Sequence, residues 1–71
     1  MNASYGWVPA SDYIGEECIL IHGSSRWWLR AGLTWWQVTN NSKQVRAGIA
    51  DTLISAKLLA EQGYRVMARA S

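Results

Sequence analysis

Residues 26–39 read RWWLRAGLTWWQVT and hold four of the five tryptophans of the chain, in adjacent pairs at 27–28 and 35–36. Aromatic and β-branched residues on both sides of the Ala-Gly pair at 31–32 predict a β-hairpin. Successive side chains of a strand point to opposite faces, so each pair sends one indole into the core and one to the far side of the sheet. The hairpin therefore predicts a sheet with one buried face and one aromatic outward face.

The residues before the hairpin predict a turn and a further strand. Residues 1–15 contain Pro9, which fixes its own φ and favours extended geometry in Val8, and they end at Gly15. We expect an N-terminal loop or turn there. The short apolar run at 17–22 is bounded by glycine and serine and predicts a strand, so that 16–39 forms antiparallel strands.

The residues after the hairpin predict a long helix followed by a last strand. Asn41 or Ser42 is a suitable N-cap, and Gly63 is suited to the left-handed residue that ends a helix. The expected helix spans 42–62, about 30 Å at 1.5 Å per residue. Residues 64–69 alternate in polarity and predict a strand.

These elements predict one α+β domain over residues 1–71. A three- to four-stranded antiparallel sheet packs one face on a single long helix, in the order β-β-β-α-β. The expected core has members from the hairpin, the helix and the last strand: Trp27, Leu29, Trp36, Val38, Ile49, Leu53, Ala56 and Val66.

Composition restricts the class of protein. Hydrophobic residues make up 49% of the chain and charged residues 17%, which is enough apolar material for a folded core. Cys18 is the only cysteine, so no internal disulfide can form, and we expect a reducing cytoplasm. The first fifteen residues lack the basic start and apolar run of a signal peptide, and no stretch approaches the roughly 18 apolar residues of a membrane span. We therefore expect no membrane partner.

The outward face of the sheet is the first candidate site. It combines indoles with guanidinium groups, which suits a protein interface or the stacking of nucleic-acid bases. A third interpretation is a solvated face whose tryptophans pair across strands for stability. The candidate partner-binding residues are Arg26, Trp28, Arg30, Trp35 and Gln37, joined by Arg65 and Arg69 if the last strand pairs in the same sheet.

The side of the helix that faces away from the sheet is the second candidate site. Ala47, Ile54 and Leu58 fall there on the expected helix, where a lone domain usually shows polar side chains. They predict a homodimer or partner interface. Scattered surface apolar residues, or an N-terminal segment folded over them, are the alternatives.

Enzyme chemistry is not indicated. Cys18 and His22 lie four residues apart, but no second cysteine or histidine exists to complete a zinc site. The sequence contains no phosphate-binding glycine loop, nucleophile elbow or paired-carboxylate spacing. We expect no catalytic residues, no metal and no cofactor. A mildly basic net charge of +2 permits nucleic-acid binding without requiring it.

The opening residues carry a family resemblance. Residues 7–12 read WVPASD, Gly15 and two glutamates follow, and an apolar strand comes next. This pattern resembles the opening of a short phage and prophage domain of unknown function, although Tyr13-Ile14 stands where that family usually has Leu-Pro. The resemblance implies a phage or mobile-element origin.

The size of the chain is similar to that of anti-CRISPR proteins, which inhibit host defence. We expect a small cytoplasmic protein-binding module that inhibits a host protein or complex. The alternatives are a nucleic-acid-binding module that uses the Trp/Arg sheet face, and a structural homo-oligomer built through the helix.

Overall fold

The computed structural model describes residues 5–70 and confirms an α+β fold. Five strands form one antiparallel sheet in chain order, and a single helix follows them. The elements are β1 (Val8–Pro9), β2 (Gly15–His22), β3 (Ser25–Gly32), β4 (Trp35–Asn40), β5 (Lys43–Ile49) and α1 (Leu53–Ala70). The order β-β-β-β-β-α replaces the expected β-β-β-α-β.

The tryptophan hairpin forms as β3 and β4, with Leu29 opposite Val38. The connection falls at Leu33 and Thr34, two residues later than the expected Ala-Gly break, because 31–32 still belongs to β3. The alternation of faces is as predicted. Leu29 and Val38 are fully buried on the side of the sheet that α1 covers, which we call the helix face.

The predicted helix start at 42 is wrong, because residues 43–49 form strand β5. Asn41 and Ser42 have φ values of 51° and 72° and make the tight turn between β4 and β5. Positive φ at both central residues matches the turn type whose twist suits a two-residue hairpin. Asn41 also accepts a hydrogen bond from the backbone N–H of Arg26 through its Oδ1, at 2.8 Å. Asparagine and serine serve turns and helix caps alike, so the local signal did not separate the two.

Helix α1 begins eleven residues later than predicted and continues past the predicted stop. Thr52 caps it, since its Oγ1 accepts a hydrogen bond from the backbone N–H of Ser55 at 3.1 Å. Gly63 lies buried inside the helix instead of ending it, at the point where the helix approaches Trp36. Residues 64–69 are therefore helical and the predicted last strand is wrong. Continuing the helix buries Tyr64 against Trp27, with ring centroids 5.2 Å apart.

The core lies between the helix face and α1, and most of its predicted members are correct. Trp27, Leu29, Trp36, Val38 and Ala56 are buried, and Leu53 packs against them while partly exposed. Two predicted members are wrong: 82% of Ile49 and 47% of Val66 are exposed. Ile49 lies on β5 instead of the helix, and the side chain of Val66 lies on a helical turn instead of a strand. The further buried residues are Cys18, Ala31, Gly32, Thr39, Ala60, Gly63 and Tyr64, of which Thr39 lies on the opposite face of the sheet, beside Trp28.

Candidate binding face of the sheet

The sheet has an outer face, opposite α1, that no other element covers within residues 5–70 except for the loop residue Tyr13. Strand alternation places the predicted residues of the hairpin there together. Arg26, Trp28 and Arg30 come from β3, and Trp35 and Gln37 come from β4. Arg26 is exposed and the other four side chains are half-buried.

A cation–π pair lies at the centre of the outer face. The guanidinium carbon of Arg30 lies 4.2 Å from the centroid of the Trp28 ring, within the range of a favourable cation–π contact. Neighbouring strands hold both partners: Trp28 Nε1 donates to Glu17 Oε1 at 3.0 Å, and Arg30 Nη2 donates to Gln37 Oε1 at 2.5 Å. Register explains this, because Glu17, Arg30 and Gln37 lie side by side across β2, β3 and β4.

Arg30 retains unused hydrogen-bonding capacity. Its Nε is buried and has no acceptor among the residues the structure describes, while Nη2 is occupied by Gln37. A buried guanidinium N–H without an acceptor lowers the stability of the fold, so other contacts of Arg30 must offset that cost. The stacked position over Trp28 offsets part of it, and the stacking and the bond to Gln37 together hold the flat guanidinium in one orientation.

A groove of about 440 Å³ runs along this part of the outer face. Apolar and charged groups both line it, and Ile19 contributes an apolar wall that is 48% exposed. Its lining residues are Glu17, Ile19, Arg26, Trp28, Arg30, Thr39, Ser42 and Gln44. Next to it on β2, Ile21 is more exposed still, so the apolar surface extends beyond the groove.

Trp35 forms a separate part of the outer face under Tyr13. The two ring centroids lie 5.1 Å apart, and the Tyr13 hydroxyl donates to the backbone C=O of Glu16 at 3.0 Å. Burial and the nearby Glu17 carboxylate raise the pKa of Tyr13 to about 12, although Arg30 acts in the opposite direction. The loop before β2 therefore covers one side of Trp35, and this indole offers less free surface than the sequence predicts.

Two of the predicted partner-binding residues lie elsewhere. Arg65 and Arg69 are on α1 rather than on a strand, so they do not join the outer face. Arg65 donates to the Tyr5 hydroxyl at 2.9 Å. The outer face consequently has fewer basic groups than predicted, and Glu17 offsets part of the charge of Arg26 and Arg30.

Only two of the three residues predicted for an oligomer interface lie together. Ala47 lies on β5 opposite Gln37, away from the helix, because 43–49 is a strand. Ile54 and Leu58 lie one turn apart on the solvent side of α1, where they are 71% and 60% exposed. The described part of the N-terminal segment, residues 5–14, leaves them exposed: Trp7 binds Glu61 instead, its Nε1 donating to Oε2 at 2.7 Å.

Sequence reasoning missed Glu17, Ile19 and Tyr13 as parts of the outer face. Strand β2 has side chains on both faces, and its continuous apolar run hid the alternation that puts Glu17, Ile19 and Ile21 together. Glu17, two residues before Ile19, is the sequence feature that could have indicated this alternation. Nothing in the local sequence indicates that Tyr13 covers Trp35, because that contact depends on how the loop returns over the sheet.

No metal-binding arrangement is found among residues 5–70. No three of their histidine, cysteine, aspartate and glutamate side chains are placed to hold a metal ion. Cys18 is buried, its Sγ donates to the backbone C=O of Tyr5, and burial raises the pKa of its thiol, so the thiolate is disfavoured. Among the same residues, α1 carries too few apolar side chains to cross a bilayer.

Comparison of the chain with models of protein families, with curated proteins and with solved structures finds no significant match. The resemblance of the opening residues to a phage domain therefore stays a prediction.

Proposed function

We propose that this chain is a non-enzymatic protein-binding module that docks on its partner through the outer face of the sheet. The observation that carries the proposal is the groove around Trp28 and Arg30, left uncovered by α1. Tryptophan and arginine are the residue types most enriched at the energetic centres of protein interfaces. The exposed isoleucines of β2 supply the apolar surround that keeps water from such a centre.

The geometry favours a protein partner over nucleic acid. Sequence-independent binding of nucleic acid needs a track of basic groups along the phosphates. Arg65 and Arg69 are on the helix, which leaves Arg26 and Arg30 as the arginines of the outer face, beside the carboxylate of Glu17. The Trp28 ring is stacked by Arg30, so a base would have to displace the guanidinium before it could stack.

The proposal extends to the biological role. We place the module in the cytoplasm of a host cell, as a phage- or mobile-element-encoded inhibitor that occupies a surface of a host protein complex, as anti-CRISPR proteins do. This part rests on the resemblance at residues 7–21. The outer face supports only the step that precedes inhibition, which is binding to a protein.

An affinity capture from host-cell lysate, with and without nuclease, tests the proposal. The bait is compared with Trp28→Ala/Trp35→Ala, with the charge reversal Arg26→Glu, and with Ile54→Ser/Leu58→Ser as a matched control on the helix. We expect a protein complex that survives nuclease, is lost with both outer-face variants and is kept by the helix control. Circular dichroism establishes that each bait is folded.

Three results would contradict the proposal. Retention of the complex by both folded outer-face variants would mean that another surface binds. Recovery of nucleic acid that disappears with nuclease and moderate salt would support the nucleic-acid alternative. Recovery of the bait alone would favour a structural homo-oligomer.

A further inference from the structure

The far edge of the sheet is formed by β5, which has β4 on one side and no strand on the other among the described residues. The backbone N–H of Ala50 donates to the C=O of Thr34 at 3.0 Å, which makes these opposed residues a hydrogen-bonded pair. Such pairs alternate along an antiparallel ladder, so Ala47 and Ile49 direct their N–H and C=O groups away from β4. The edge thus offers four backbone groups, the N–H and C=O of Ala47 and of Ile49, at the spacing that an added strand needs to form hydrogen bonds.

Two depressions lie along the seam between this edge and α1. The first measures about 230 Å³ and is lined by Trp36, Arg46, Leu59, Gln62, Gly63 and Val66. The second measures about 440 Å³ and is lined by Ile49, Ala50, Asp51, Ser55 and Leu59. They share Leu59, so they are neighbours. A strand added to β5 sends every second side chain towards α1, which brings successive inward side chains to adjacent depressions.

Two polar groups at the seam have no partner among the described residues, and they indicate which side chains of an added strand would fit there. The guanidinium of Arg46 makes no hydrogen bond or ion pair with the described residues, and Trp36 Nε1 donates to none of them. β5 carries Lys43 and Arg46 and no acidic residue. Gly48 lies between Arg46 and the depression beside Asp51, and it adds no side chain of its own to the seam.

We infer that β5 is a site for β-strand addition by an extended segment of another protein that carries an acidic side chain opposite Arg46 and an apolar one opposite Gly48. Backbone hydrogen bonds to Ala47 and Ile49 supply affinity, and the seam supplies specificity. A second copy of β5 fits less well, because antiparallel self-pairing centred on Arg46 sets two guanidinium groups against each other. Charged residues on an edge strand commonly prevent such self-pairing.

This site is separate from the groove of the outer face, which Arg46 and Gly48 do not line. On β5, Gln44, Ala47 and Ile49 lie on the outer face, and Ile49 also borders the second depression at the edge of the sheet, whereas Arg46 and Gly48 lie on the helix side. The two binding events can therefore be tested independently with different variants.

The probe is a synthetic seven-residue peptide of strand-forming residues, with glutamate opposite Arg46 and valine opposite Gly48. Titration is followed by amide shifts of the ¹⁵N-labelled chain and by hydrogen exchange. We expect shifts along β5 and new protection of the Ala47 and Ile49 amides. For a peptide that adds antiparallel to β5, methylating the backbone nitrogen of the residue opposite Ala47 should abolish binding, whereas the same change opposite Gly48 should leave it, because only the former N–H faces the edge.

A charge exchange provides the second measurement. Replacing the glutamate of the peptide by lysine should weaken binding about tenfold or more, the size expected for a lost charge-assisted hydrogen bond. Arg46→Glu should reverse this preference. Failure of the glutamate peptide to bind, or equal tolerance of both methylations, would overturn the inference. Protection of the Ala47 and Ile49 amides in the free chain that grows with its concentration would also overturn it, in favour of a second copy.

Discussion

Replacing Gly63 by alanine tests how the helix is seated on the sheet. A Cβ at Gly63 would lie 2.9 Å from Cζ3 of Trp36, closer than packed carbon atoms approach. The indole has little room to shift, because Gly48 also lies against it: a Cβ there would lie 2.6 Å from Nε1 of the same ring. Two backbones thus approach Trp36 closely because both positions lack a side chain.

Two effects of opposite sign decide the magnitude. Alanine in place of glycine inside a helix contributes about 1 kcal/mol of stability. Overpacking a rigid core costs about 1–3 kcal/mol, and the confined indole places this site in the upper part of that range. We expect Gly63→Ala to lower the free energy of unfolding by about 1–2 kcal/mol. For a domain of this size, with a total of about 4–11 kcal/mol, that is a substantial fraction.

Urea denaturation followed by circular dichroism at 222 nm measures the effect. The matched background is Trp36→Leu, whose smaller side chain does not reach the helix backbone. There the same Gly63→Ala change should raise the free energy of unfolding by about 1 kcal/mol, since the propensity gain remains without the collision. A stabilising Gly63→Ala in the parent chain, or an equal effect in both backgrounds, would refute the proposed packing.

Three further changes have defined outcomes. Burial, Glu17 and Asp12 raise the pKa of Tyr13 from 10.0 to about 12, so its contribution to the free energy of unfolding should be complete below pH 10 and lost as the pH rises from about 10 to 12. Tyr13→Phe should remove that part of the alkaline loss of stability, together with the last tyrosinate absorbance to appear at 295 nm. An unchanged titration would contradict this assignment. Thr52→Ala should cost about 1 kcal/mol of unfolding free energy through loss of the helix cap, and Thr52→Ser markedly less; equal costs in urea would exclude a capping role. If the chain forms a homodimer through the exposed side of α1, Leu58→Lys should convert it to a monomer in sedimentation equilibrium, and a dimer that persists would place the contact elsewhere.

The tryptophan hairpin was predictable because its alternating pattern is local and is repeated in both strands. Alternation within two strands assigns four indoles to faces, and the register around Leu29 and Val38 confirms the assignment. The hydrophobic pattern fixes the register wherever one face is buried, so the predicted outer face and most of the core are correct.

The C-terminal half was less predictable, because its signals have two meanings. Asparagine and serine at 41–42 suit a helix cap and a hairpin turn equally. Gly63 suits a helix end, yet here it serves close packing on Trp36, a contact between residues 27 positions apart that no local window contains. Taking Gly63 as the helix end made residues 64–69 a predicted strand, which wrongly placed Arg65 and Arg69 on the sheet. Glu17 and Tyr13 were missed because contacts between strands and with a returning loop bring them to the site.

The most direct test of the central claim is site-specific photo-crosslinking in the cells that produce the chain. p-Benzoylphenylalanine replaces Ile19, at the edge of the outer-face groove, or Ile54, on the exposed side of α1. We expect a discrete protein adduct from position 19, absent from position 54 and resistant to nuclease. Adducts that form only from position 54, or that consist only of nucleic acid, would contradict the claim that the outer face of the sheet binds a partner protein.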